Sequence, residues 1–111
     1  MEISFESNKL SKVFNSKKKL IQEYGPRNAE VIMRRMIVLQ AAPSLNDVQH
    51  RPPERRHELG QNRAGQFAVD LIHPYRLIFR PNHDTIPLKA DGGIDLKQVT
   101  AITIIEVEDY H

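Results

Sequence analysis

Gln66-Phe67-Ala68-Val69-Asp70-Leu71-Ile72-His73-Pro74-Tyr75-Arg76-Leu77-Ile78-Phe79 is the stretch on which the fold turns. Its two apolar runs, Gln66–Leu71 and Tyr75–Phe79, have strand length and strand composition, and His73-Pro74 between them supplies a turn. A third run of the same kind, Thr100–Val107, lies near the chain end and is rich in β-branched residues. Alternation puts Arg76 and Arg80 on one face of the second strand, either side of Ile78. Along the last strand it groups Ile105, Val107, Asp109 and His111 on one face, and Ile102, Ile104, Glu106, Glu108 and Tyr110 on the other.

Working outward, Met1–Glu6 alternates Ile3 and Phe5 with polar residues and reads as a short half-buried strand. Ser7 or Asn8 then caps a helix over Lys9–Tyr24, with Leu10, Val13, Phe14, Leu20, Ile21 and Tyr24 mostly at helical spacing. Gly25-Pro26 ends that helix and opens another, Asn28 to about Ala41. This second helix carries Ala29, Ile32, Met33, Met36 and Leu39 inward and Arg34-Arg35 outward. Pro43–Pro53 is a connector with one helical turn around Leu45–Val48, and Pro81–Gln98 is a long surface loop or small flap. The expected fold class is α+β: an N-terminal strand, a two-helix hairpin, then a mainly antiparallel sheet of about three further strands.

At 111 residues and 40% hydrophobic, the chain supports one core and one domain, 1–111. Zero cysteines exclude disulfides, thiolate metal sites and a cysteine nucleophile. No segment resembles a signal-peptide core or a bilayer span, so a cytoplasmic protein without a membrane partner is expected. Net charge is +2 but unevenly spread: Lys9 to Arg35 holds eight basic and two acidic residues, and Asn82 to His111 holds two basic and six acidic. The basic flank, with Lys17-Lys18-Lys19 at its centre, suits a polyanion bound through counterion release.

Chemistry-bearing residues cluster twice. Arg55, Arg56, His57 and Arg63 precede the strand pair, and Asp109-Tyr110-His111 follows the last strand. Arginines offer fixed forked donors for phosphate, and histidines supply acid and base near neutral pH. His83, Asp84, Asp91 and Asp95 match the spacing of neither a zinc site nor a calcium loop, so no metal or other cofactor is expected. There is no glycine-rich phosphate loop and no nucleophile elbow. Together these point to binding or chemistry at a phosphodiester.

The run Arg55-x-His57-x-Leu59, then Arg63-x-Gly65-Gln66-Phe67, then Tyr75-Arg76-Leu77-Ile78-Phe79, then Asp109-Tyr110-His111 resembles the HigB-type killer toxins of the RelE/ParE superfamily. The resemblance covers nearly the whole chain. It implies a toxin of a type II toxin–antitoxin pair: a metal-independent endoribonuclease that cleaves messenger RNA in the ribosomal A site, neutralised by a cognate antitoxin, usually of helix-turn-helix type. His57 and His111 would then be acid and base, Asp109 would position a neighbour, Tyr110 would stack on a base, and Arg76 would hold the phosphate with Arg63 in support. Where the family usually has a lysine three residues after that histidine, followed by glycine, this chain has Gly60-Gln61, which leaves Arg63 as the nearby cation. The resemblance also admits a gyrase-poisoning relative of the ParE branch, or a catalytically weakened homologue that binds its antitoxin.

Overall fold

Phe67 and Phe79 face each other on neighbouring strands with their rings stacked at 6.1 Å, and the sheet extends to both sides of that pair. The computed structural model describes residues 1–110, and His111 lies outside them. Among them, five strands form one mixed sheet: β1 (Glu2–Phe5), β2 (His57–Glu58), β3 (Phe67–Asp70), β4 (Tyr75–Pro81) and β5 (Ala101–Asp109), in the order β1-β5-β4-β3-β2. β1 runs parallel to β5, and the remaining pairings are antiparallel. Among the described residues there are three α-helices, α1 (Asn8–Phe14), α2 (Lys17–Tyr24) and α3 (Pro26–Ala41). The architecture is thus α+β, with one more helix and one more strand than the sequence reading gave. Among the described residues, no helix is long and apolar enough to cross a membrane.

The expected helix over Lys9–Tyr24 is divided at Asn15-Ser16. Ser16 takes extended backbone and its Oγ accepts from Lys19 N at 3.2 Å, which starts a new helix; Asn15 closes the old one and donates to Ser11 Oγ. Short polar side chains compete for backbone groups and so favour caps over helix interiors. The apolar spacing continues across the break, which hides it from periodicity. Gly25, with φ +83, ends α2 and caps α3 together, a left-handed conformation that glycine adopts without strain.

One face of the sheet, with Phe67, Val69, Leu77, Phe79, Ile102 and Ile104, packs with Leu20, Ala29, Ile32 and Leu39 of the helices in the main core. Asn28 is buried at the start of α3, where its Oδ1 accepts from Ile72 N at 3.1 Å and pins the helix to the β3–β4 turn. Arg35, expected on the outside, is buried at 8% exposure. It falls three residues after Ile32 and four before Leu39, on the inward stripe. Its Nε donates to the Asp70 carbonyl at 2.7 Å and its head lies 3.9 Å from buried Glu54, so the charge is paired rather than displayed.

The pairing of β4 with β5 slips once: Ile78 faces Glu106 and Phe79 faces Ile104, so Ile105 is an extra residue. The slip reverses the strand's alternation. Ile102, Ile104 and Val107 all join the core side, while Glu106 and Glu108 take the opposite face with Ile78 and Arg76. The single alternating face read for Ile102 to Tyr110 is therefore broken at Ile105. The Pro81–Gln98 segment is a small flap, with Leu88 bridged to Ile94 and Gly92 (φ +89) at its tip. Thr100 N donates to His83 Nε2 at 3.1 Å beside its base.

Tyr24, half-buried at the end of α2, sets its ring edge against Phe14 with centroids 6.3 Å apart. Burial first, and Glu23 second, raise its phenol above the ordinary value of 10.0. The folded protein then holds that proton to higher pH than the unfolded chain does. Its share of stability is present below pH 10 and is lost as pH rises through the folded value. Urea unfolding at a series of pH values above 9 should show a steeper decline for wild type than for Tyr24→Phe; equal slopes would contradict this.

Candidate nucleic-acid interface

The sheet face away from the helices carries a cleft of about 570 Å³ lined by Leu59, Gly60, Gln61, Asn62, Arg63, Gln66, Arg76, Glu108 and Tyr110. Its floor is a cross-strand pair: Arg76 of β4 stands opposite Glu108 of β5, and Arg76 Nε donates to Glu108 Oε2 at 2.7 Å. Arg63 enters from the loop between β2 and β3 and reaches over β4. Its Nη2 lies 3.4 Å from Glu108 Oε1 and 3.3 Å from Glu106 Oε2, while Nη1 donates to Gln66 Oε1 at 2.8 Å. One carboxylate therefore bridges two guanidiniums from different elements. Charge-assisted bonds of this kind contribute about 1.5–3 kcal/mol where partly buried.

Tyr110 closes one side. The Arg76 guanidinium carbon sits 3.8 Å from the centre of the Tyr110 ring, a cation–π contact. Tyr110 N donates to the Pro74 carbonyl at 2.9 Å, which ties the chain end to the β3–β4 turn and holds the ring in place. On the opposite rim, Gln61 takes left-handed backbone at φ +54, a conformation that side-chain-bearing residues seldom adopt and that is concentrated at binding sites.

Of the residues expected from sequence, Arg63, Arg76 and Tyr110 converge here. Asp109 ends β5 opposite Tyr75, next to the cleft in sequence, and His111 lies outside the described residues. His57 begins β2 and shares the cleft's sheet face, in the row His57, Ala68, Ile78, Glu106. Three strand spacings, roughly 14 Å, separate it from Glu106. Its Nδ1 is 2.8 Å from the Arg55 carbonyl, so it donates there and the acceptor of a neutral ring is Nε2.

Arg55 and Arg56 are engaged elsewhere. Arg55 forks onto Asp70 with bonds of 2.7 and 2.9 Å, and the hydrogen bonds raise its already high pKa further. Its backbone is left-handed at φ +46. Arg56 donates through Nε to the Val48 carbonyl at 2.7 Å, and burial lowers its pKa. Lys17, Lys18 and Lys19 are exposed on α2, in the helical layer behind the sheet. The basic flank and the cleft therefore occupy opposite sides of the molecule.

Glu106, Glu108 and Gln66 belong to the site and were not expected there. Alternation gave the glutamates a face shared with Ile102 and Ile104, which reads as ordinary amphipathic strand. Only the bulge at Ile105 turns them toward Arg76. A glutamate two residues from another, opposite an arginine-bearing strand, was the available signal. No family model matches this chain, and no curated protein does.

Arg76→Gln should lower stability by about 1–3 kcal/mol, because Glu108 loses its shorter charge-assisted bond and the Tyr110 ring loses its cation. Exposed Lys18→Gln should stay within about 0.5 kcal/mol of wild type. Urea midpoints compare the two; an unchanged midpoint for Arg76→Gln would contradict the geometry.

Proposed function

We propose that the cleft binds a phosphodiester of single-stranded RNA, and that the protein acts as a toxin endoribonuclease of the HigB type within the RelE/ParE superfamily. The observation that carries this reading is the convergence of Arg63 and Arg76 on one anion, in a cleft walled by an aromatic ring. Two forked cations fit the two non-bridging oxygens of a phosphate. A single-stranded base can stack on an exposed aromatic ring, and Tyr110 is 61% exposed.

The matching reaction is attack of a ribose 2′-hydroxyl on the adjacent phosphorus. The P–O bond to the 5′-oxygen breaks, one group takes the 2′ proton, and another protonates the leaving oxygen. Arg63 and Arg76 stabilise the charge that builds on the phosphoryl oxygens. The acid and base roles remain those the resemblance gives to His57 and His111, with Asp109, which pairs with Tyr75 on the Val107 side of β5, a positioning residue. The expected partners are ribosome-bound messenger RNA and a cognate antitoxin.

The weakened homologue has one observation in its favour: Glu106 and Glu108 neutralise both arginines in a site where Gly60 stands at the family's lysine position.

Induced expression in a bacterial host, with methionine incorporation and primer extension on a translated message, tests the reading. Wild type should arrest incorporation and produce discrete cuts. Arg76→Gln, expressed in soluble form, should cut about 100-fold less or worse. Undiminished incorporation by soluble wild type would favour the weakened homologue, and equal cutting by the variant would remove Arg76 from the reaction.

A further inference from the structure

We propose that Glu108 is an internal occupant of the phosphate seat, a tethered carboxylate that RNA must displace before Arg63 and Arg76 can hold its phosphate. This rests on the phosphodiester reading above and adds a residue that governs access to the same seat.

The placement carries the argument. Glu108 presents one oxygen to Arg76 Nε at 2.7 Å and the other to Arg63 Nη2 at 3.4 Å. That is the two-oxygen, two-guanidinium arrangement a diester would adopt. The Tyr110 ring covers Arg76 on one side, and the Arg63 head already spans Glu106 and Gln66. A phosphate therefore competes for the position that Glu108 fills. Both anions cannot stay, since like charges side by side in a partly desolvated site repel strongly. Carboxylate and diester each carry one negative charge, so exchanging them leaves the site's net charge unchanged.

The tether decides the balance. β4 and β5 fix the Glu108 backbone opposite Arg76, so the carboxylate competes at an effective concentration on the order of millimolar or above. Its release needs no backbone movement: the side chain is 24% exposed and can rotate into solvent. Glu106 has the weaker hold on the seat. It touches Arg63 alone, at 3.3 Å, among the contacts of the two arginines, and its side chain is 48% exposed. Weak binding of short free RNA by the wild-type protein follows, together with tighter binding once the Glu108 charge is removed.

The test uses the full chain and a short single-stranded 2′-O-methyl RNA, which lacks the attacking hydroxyl and so reports binding alone. Fluorescence anisotropy should show Glu108→Gln binding about 10-fold or more tightly than wild type, Glu106→Gln changing less, and Arg76→Gln losing binding in either background. In wild type carrying ¹³C-labelled glutamate, saturating RNA should move the Glu108 carboxyl resonance to the position of a solvent-exposed glutamate. That readout stands even if Glu108→Gln does not fold. Wild-type binding with an unmoved Glu108 resonance, or equal or weaker binding by a folded Glu108→Gln, would overturn the proposal and leave Glu108 a fixed partner or a proton acceptor. No binding by wild type or Glu108→Gln would instead overturn the phosphate seat itself, and this inference with it.

Discussion

The antiparallel pairing of β4 with β5, interrupted once by the extra residue Ile105, is the constraint on which the rest of the molecule depends. Before the slip, Ile102 and Ile104 point toward the helices with Phe79 and close the core. After it, Val107 keeps that side while Glu106 and Glu108 are delivered to the other. A regular strand would send either two isoleucines or two glutamates to the wrong face, because a one-residue shift inverts every side chain. The bulge thus lets one strand serve as core wall in its first half and as cleft floor in its second. Such devices are frequent next to binding sites.

Three of the charged groups around the same sheet differ in what they do. Behind it, the lysines of α1 and α2 are exposed. At the β3 end, Arg35, Glu54, Arg55 and Asp70 form a paired cluster that fastens the proline-rich connector to the sheet: Arg35 bonds the Asp70 carbonyl, Arg55 bonds its carboxylate, and Asp70 N donates to the Glu54 carbonyl at 2.8 Å. In front, Arg63 and Arg76 share Glu108. Only the last group combines convergent cations with an open cleft and an aromatic wall. The positions of the first two argue for general electrostatic attraction and for structural anchoring respectively.

Much of this was legible in the chain. Gln66–Leu71 and Tyr75–Phe79 announce β3 and β4 to within a residue or two, and Gly25-Pro26 marks the α2–α3 junction, because strand composition and capping chemistry are local properties. Convergence of Arg63, Arg76 and Tyr110 was legible only as a possibility, conditional on the sheet bringing their strands side by side, and the fold supplies the contact. What was hidden depends on partners distant in sequence. β2 is two residues long and exists through its pairing with Phe67 and Ala68. The Asn15-Ser16 break leaves the helical period intact. Arg35 looks like a surface arginine until Asp70 and Glu54 are brought to it. Glu108 acquires its place from a bulge that no short-range pattern encodes.

The central claim is that a phosphate belongs between Arg63 and Arg76. A crystal structure of the protein with a bound non-cleavable single-stranded RNA tests it most directly. The account predicts a backbone phosphate within hydrogen-bond distance of both guanidiniums, a base against Tyr110, and the Glu108 carboxylate turned away from Arg76. RNA lying along Lys17–Lys19 on the helical side, with the bonds from Arg63 and Arg76 to Glu108 intact, would contradict it.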